Sequence, residues 1–282
     1  NNREHFLYLL YRKLNYPIME TTDSGAASTN KNVIANYYKM YKNKYLKAIL
    51  VGRKLETERR YILSYFKWLD DNSLLHSTLN ITGTRETRQS SSGPNQQNIS
   101  NNLLHLFHPP QGTIWWAADF SNIEMRIWAY SIGNEQLISI FESGASVHMA
   151  IMDILFKSEA EAYRKNPDNP ALRNRYRKIK EGNFALIYGA TEKTADAAYG
   201  FEGATRVIYK YFPGIEEFTQ SLAREVFLNQ QELNRPFIYT IGGYPLDVPT
   251  DEPFKSCNYY TQGSAGIFMT KGMIAIHNNS TY

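Results

Sequence analysis

Apolar positions recur at helical spacing early in the chain: Val33, Tyr37, Met40, Tyr41, Tyr45 and Ile49, then Ile62, Tyr65, Phe66 and Leu69, set among many lysines and arginines. The spacing predicts two long basic helices across residues 33–69, whose charged faces suit solvent or a polyanion. Residues 82–100 are rich in Gly, Ser, Thr, Asn and Gln. They hold too little apolar surface for a core element and are expected to be looped or extended. The short apolar run at residues 113–118 predicts a buried strand ending at Asp119. Ile123, Ile127, Trp128, Tyr130 and Ile132 then return to helical spacing, so Asp119 is expected at a strand-to-helix junction. Further helices are predicted over residues 147–156 and, after a polar loop bounded by Pro167 and Pro170, from Ala171 to about Gly189. Residues 238–246 read as a hairpin around Gly242 and Gly243, and residues 263–276 as a small-residue helix.

Length and charge narrow this picture only a little. The 282 residues suffice for one large domain or a few packed subdomains. A formal charge of +4 is compatible with a polyanion partner without selecting one. The single cysteine, Cys257, excludes an internal disulfide framework and suits a reducing compartment. Neither a signal peptide nor a membrane span is visible, since the start, Asn1-Asn2-Arg3-Glu4-His5, leads only into the short apolar run Phe6 to Tyr11. The missing initiator Met, and an apolar helical pattern running almost to Tyr282 without a cap, give the expectation of a soluble fragment.

Two features carry chemistry. At about 100° per residue, Arg173, Arg177, Lys180, Phe184 and Tyr188 share one face of the helix that ends at Gly189. Guanidinium and ammonium groups pair with phosphate oxygens while rings stack on bases, so the face suits a nucleoside triphosphate; taken alone it better suits basic surface residues above two core aromatics. Asp119 offers the hard oxygen ligand that phosphoryl transfer with two Mg²⁺ ions requires, the ions lying about 3.5 to 4 Å apart. The competing reading of Asp119 is a helix N-cap. His105 and His108, three apart and without a nearby cysteine pair, read as surface or packing residues.

Four segments resemble the family A DNA polymerases, in that family's order. Asp119-Phe120-Ser121-Asn122-Ile123-Glu124-Met125-Arg126 is similar to its first palm motif. Lys180, Phe184, Tyr188 and Gly189 are similar to its fingers-helix motif. The stretch Arg88 to Ile99, with Gly93-Pro94-Asn95-Gln96-Gln97-Asn98, resembles its Arg-Leu-Ser-Ser-x-x-Pro-Asn-Leu-Gln-Asn-Ile segment. Asn258-Tyr259-Tyr260-Thr261-Gln262-Gly263-Ser264-Ala265 resembles its Asn-x-x-x-Gln-Gly-Thr-Ala segment. Leu14 to Ile18 and the basic helices after them resemble the entrance to the thumb.

The resemblance implies an α+β right-hand polymerase fold, truncated at the C-terminus, with thumb helices, a partial antiparallel palm sheet and helical fingers. Residues 1–78 would form the thumb and entry to the palm, 79–135 the palm with the first catalytic motif, 136–255 the fingers, and 256–282 a helix returning to the palm. It implies Asp119 as catalytic residue and metal ligand, with the Phe120 carbonyl as a neighbouring ligand of two Mg²⁺ ions. Ser121, Asn122 and Ile123 would lie at the nucleotide, and Glu124 would exclude a ribose 2′-hydroxyl. His148 and Lys180 would hold phosphates, Phe184 would pack on the nucleotide, and Tyr188 would stand at the templating position. Tyr176 occupies the place of an expected arginine, and Arg177, then Arg173, are the replacements the helical face favours. Arg88, Asn95, Gln97, Asn98, Asn258 and Gln262 would contact primer-template DNA, and thumb cations such as Arg53, Lys54, Arg59 and Arg60 its phosphates.

The family's second catalytic carboxylate sits in a His-Asp turn, whereas here His277 is followed by Asn278 and no Asp or Glu follows Glu252. The expectation is therefore an enzyme of template-directed DNA synthesis whose present 282 residues bind DNA and deoxynucleotides but extend poorly, needing a missing palm segment or second chain. The alternative is a binding fragment of a split or inactive polymerase. The family suggests a phage or bacterial source, the cytoplasm of a bacterium or infected cell, and no membrane partner.

Overall fold

Helices dominate because the apolar residues fall where a 3.6-residue repeat brings them to one side, and because polar caps stand at the starts of several of these runs. The structure, a computed structural model, describes residues 2–81, 83–115 and 117–279. The chain forms two compact units, one of residues 1–78 and 91–115, the other of residues 79–90 and 116–282. Short strands β1 (Thr78–Asn80) and β2 (Ser90–Ser92) lie where the chain passes from one unit to the other and back.

In the first unit, α1 (Asn2–Leu7) continues into a π-helical turn over Tyr8–Lys13, so the apolar run near the start is helical. The two predicted basic helices are α2 (Lys31–Tyr41) and α3 (Lys44–Tyr65). Asn30 and Asn43 cap them, their side-chain oxygens accepting from the backbone N–H of Val33 at 2.8 Å and of Tyr45 at 2.9 Å. Leu10, Val33, Ile34, Tyr37 and Leu46 make the core of this unit. Charged side chains turn outward, Lys54 pairing with Glu58, and Arg59 and Arg60 with Glu56.

The second unit runs α4 (Ile123–Ile132), α5 (Glu135–Glu142), α6 (Val147–Leu155), α7 (Lys157–Lys165), α8 (Pro170–Ile187), α9 (Glu192–Tyr199), α10 (Ala204–Tyr211) and α11 (Ile215–Leu233). The expected hairpin follows as β3 (Phe237–Tyr239) and β4 (Pro245–Asp247), antiparallel with Ile238 opposite Leu246. The chain then enters α12 (Lys255–Asn279). This last helix starts well before residue 263, because Ser256, Cys257, Tyr259, Tyr260 and Thr261 already supply a buried stripe. Among the described residues no helix is long and apolar enough to cross a membrane.

Three helices are fastened to one another by buried polar contacts. The Trp128 indole N–H on α4 donates to Thr261 Oγ1 on α12 at 2.6 Å, and Thr261 Oγ1 lies 3.3 Å from the Ile187 carbonyl at the end of α8. Ser131 and Tyr260 share a second α4–α12 hydrogen bond at 2.7 Å.

The strand expected at residues 113–118 is not formed by the described residues there. Ile114 is 85 % and Trp115 63 % exposed, and neither lies in a strand; Trp116 falls outside the described residues. An apolar run becomes a strand only when a neighbour takes up its backbone N–H and C=O groups, and no described segment pairs with this one.

Candidate active site

Asp119 and Phe120 lie in an exposed, irregular segment just before α4, so Asp119 stands at a loop-to-helix junction, not a strand end. The capping reading of Asp119 also fails. Asn122 is the N-cap of α4, in a left-handed conformation at φ 53°, and no side chain caps that helix. Among the described residues the Asp119 carboxylate forms no hydrogen bond or ion pair. The Phe120 ring rests on α12 where Gly272 leaves room: a Cβ there would lie 3.2 Å from Phe120 Cζ. Ser121 is exposed, its carbonyl accepting from Arg126 Nε at 2.9 Å, and Asn122 donates to Ser121 Oγ at 3.3 Å. Ile123 packs against the core.

In the first turn of α4, Glu124 is 8 % exposed, which removes the reading of an exposed helix carboxylate. Its two oxygens are held separately: Arg88 Nη2 donates to Oε1 at 2.7 Å and the Tyr188 hydroxyl donates to Oε2 at 2.5 Å. Burial, and then Glu124, push the Tyr188 hydroxyl above the usual tyrosine range, with Arg88 and Gln262 opposing. The phenol therefore remains a neutral donor. Arg88 reaches this point because its loop lies close on α12, where a Cβ on Gly266 would come 3.3 Å from the Thr87 carbonyl oxygen. Gln262, also on α12, donates to Asn258 Oδ1 at 2.7 Å.

The helical face read from the sequence is present on α8. Asn169 accepts from the N–H groups of Ala171 and Leu172, and Pro170 occupies the first helical position, where its missing N–H costs nothing. Arg173 and Lys180 are exposed and unpaired among the described residues. Arg177 is committed within its own helix, donating to Glu181 at 2.9 Å and to Asn174 at 2.7 Å. Phe184 and Tyr188 stand with ring centroids 5.9 Å apart. Gly189 follows two residues past the helix end, and its φ of +79°, with a Cβ there falling 2.6 Å from the Phe254 carbonyl oxygen, excludes a side chain. Tyr176, at the expected arginine's position, stacks on Tyr163 at 4.9 Å.

His148, expected to hold phosphates, lies on α6 inside the packed helices. It is 2 % exposed, with Nδ1 2.7 Å from Asn183 Nδ2. Burial first, and then the charge of Lys180, push its imidazole down to about 4. Unfolded, the ring takes its proton near pH ~6.5, so below that pH the unfolded state binds more protons than the folded one. The stability tied to His148 is thus complete above pH ~6.5 and is lost as pH falls toward 4. Urea unfolding at a series of pH values should show this decline, and His148→Gln should flatten it; an unchanged slope in the variant would remove the assignment.

Asn95, Gln97 and Asn98 belong to the other unit, exposed on a 3₁₀ turn that Asn95 caps by accepting from the Gln97 N–H at 3.1 Å. In that unit Arg53 donates to the Thr29 carbonyl at 2.7 Å and covers the Phe6 ring at 4.5 Å. His105 and His108 are exposed, as surface residues would be. Asn183 and Tyr199 were not singled out from the sequence; a buried amide and phenol carry no periodic signal once they sit among apolar neighbours.

For a metal, the described residues offer the Asp119 carboxylate and the Phe120 carbonyl, and no group of three His, Cys, Asp or Glu side chains gathers anywhere among them. Magnesium prefers six oxygens and keeps several waters, so this pair suits one side of an ion and does not by itself complete a two-metal centre.

The architecture has a clear likeness among solved structures. It matches the POL domain of Pol1 from M. smegmatis, determined in complex with DNA primer-template and dNTP, at a TM-score of 0.80 and 20 % identity, covering 98 % of this chain and 50 % of that one. The sequence pattern of DNA polymerase family A matches residues 1–281, and the chain belongs to that family. It is 27 % identical over 263 residues to the thermostable DNA polymerase I of Thermus aquaticus, covering 88 % of this chain and 30 % of that protein. Against DNA polymerase I of Lactococcus lactis subsp. lactis it is 26 % identical over 290 residues, covering 97 % and 32 %. The chain thus spans about a third of the length of these relatives.

Proposed function

We propose that this chain is the part of a template-directed DNA polymerase that holds primer-template DNA and the incoming deoxynucleoside triphosphate. In this reading residues 1–78 act as thumb, 79–135 as palm, 136–255 as fingers and 256–282 as a helix returning to the palm of a right-hand arrangement. The observation that carries it is the Arg88–Glu124–Tyr188 network, which joins three of the four family-like segments at one buried carboxylate.

With both oxygens fixed, Glu124 is a rigid wall where a sugar would rest, and a 2′-hydroxyl would collide with it. Ser121, Asn122 and Ile123, just before Glu124 in the chain, would lie beside the same nucleotide. Lys180 and Arg173 supply unpaired positive charge for a triphosphate, while Phe184 and Tyr188 supply ring surface for sugar and base. Arg88, Asn258 and Gln262 carry donors suited to the purine N3 and pyrimidine O2 acceptors that every correct pair presents in the minor groove. Asn95, Gln97, Asn98 and the thumb cations would meet the duplex and its phosphates. When bound, magnesium would supply positive charge at the reacting phosphate, held by Asp119 and the Phe120 carbonyl. The place of work is the cytoplasm of a bacterium or an infected cell.

Because Asp119 is one carboxylate where two ions require more, the 282 residues by themselves are expected to bind without sustained extension. Fluorescence anisotropy should show primer-template binding whose logarithm falls linearly with the logarithm of salt, by about 0.9 for each phosphate contact. Primer extension with Mg²⁺ should stay near background. Binding indifferent to salt would sink the polymerase reading, and robust incorporation would sink the incomplete-site argument.

A further inference from the structure

A buried polar chain runs from α9 through α8 to α6. The Tyr199 hydroxyl donates to Asn183 Oδ1 at 2.7 Å, and Asn183 Nδ2 lies 2.7 Å from His148 Nδ1. Their side chains belong to residues 0 %, 1 % and 2 % exposed. The geometry at Gly182 is built for it: a Cβ there would lie 2.3 Å from Tyr199 Cδ1, so only glycine admits the Tyr199 ring against α8.

The chain fixes protons as well as positions. Burial holds the Tyr199 hydroxyl protonated, and it donates to the amide oxygen of Asn183. The amide nitrogen must then face His148 as a donor. Nδ1 accepts, and the ring proton sits on Nε2. Nε2 is buried and has no partner among the described residues. A buried N–H without an acceptor is costly and is tolerated where an acceptor arrives during function. The rings beside His148 are Phe184, centroid at 6.0 Å, and Tyr176, at 6.2 Å, both only partly buried, so a small side-chain displacement would uncover the donor. Lys180, whose charge reaches His148, is exposed one turn before Phe184.

We propose that Tyr199 and Asn183 are positioning residues that hold His148 as a neutral Nε2–H donor for a phosphate oxygen of the incoming nucleoside triphosphate. This rests on the reading of α8 as the nucleotide-binding helix. A neutral donor keeps its hydrogen bond across the physiological pH range, leaving charge neutralisation to Lys180.

The test uses the 282-residue chain and two readouts. Imidazole ¹⁵N spectra of the ligand-free protein should show His148 in the Nε2–H tautomer, and Tyr199→Phe, which frees the Asn183 amide to rotate, should give a tautomer mixture. Titration of the primer-template complex with dNTP should show Tyr199→Phe weakening nucleotide affinity about fivefold, part of a charge-assisted hydrogen bond, with primer-template affinity unchanged. His148→Gln, a neutral donor with no tautomers, should retain most of the affinity and lose the sensitivity to Tyr199→Phe. A pure Nε2–H ring in Tyr199→Phe, or a fivefold loss that persists in the His148→Gln background, would overturn the positioning role. If the unaltered complex binds no dNTP, the nucleotide reading of α8 fails and the phosphate half of the proposal with it, while the spectra still decide whether Tyr199 sets the tautomer.

Discussion

Replacing Asp119 by alanine is expected to reduce primer extension by about 10³-fold, the rate equivalent of about 4 kcal/mol of lost charge stabilisation, in a chimera that joins these residues to the remaining polymerase segment of a relative such as L. lactis DNA polymerase I. The structure makes the experiment clean. Asp119 caps nothing, since Asn122 holds the N-cap position, and its carboxylate is exposed without a partner among the described residues. Truncating such a side chain changes stability by about 0.5 kcal/mol or less, so lost extension cannot be traced to unfolding. Primer-template affinity should stay within about twofold, because an exposed carboxylate contributes no attraction to a polyanion. Asp119→Asn keeps the shape and removes the charge, and it should fail nearly as badly. A chimera that extends with Asp119 in place and equally well without it would show that this carboxylate holds no catalytic ion.

The cationic and aromatic face of α8 was legible because it is local. One helix supplies Arg173, Lys180, Phe184 and Tyr188, its period fixes their common side, and Asn169-Pro170 marks where it begins. The hairpin at Gly242-Gly243 was legible for the same reason. Residues 113–118 were misread because strand formation is a property of pairs of segments, and apolar composition describes only one of them. His148 was half legible. Its helix was foreseen, but its burial depends on α8, and the polar chain that ends at its Nδ1 runs through Asn183 and Tyr199, 35 and 51 positions further along. The Glu124 site shows the same division. Arg88, Glu124 and Tyr188 were each singled out within separate segments, whereas their convergence on one carboxylate comes from the close approach of the residue 85–88 loop to α12 at Gly266 and from the packing of α4 on α12.

That packing has a single most sensitive point. Trp128 is 1 % exposed, meets the Phe218 ring edge-on at 5.3 Å and donates its indole N–H to Thr261. Trp128→Ala is expected to destabilise the second unit by about 3–5 kcal/mol, from lost burial and the cavity left behind. Trp128→Phe should cost less, because much of the apolar surface remains while the donor to Thr261 is lost. The consequence should reach the site before the unit unfolds. Trp128 is one helical turn from Glu124 on α4, and Thr261 adjoins both Gln262 and the carbonyl at the end of α8, so loosening this contact lets Glu124 and Tyr188 drift apart. Urea unfolding followed by tryptophan-independent far-UV circular dichroism would measure the stability loss, with the two units' transitions fitted separately. Hydrogen exchange at Tyr188 and Gly189 would measure the loosening. A Trp128→Ala protein that unfolds at the unaltered urea concentration would show that α4, α8 and α12 are held together by something other than this contact.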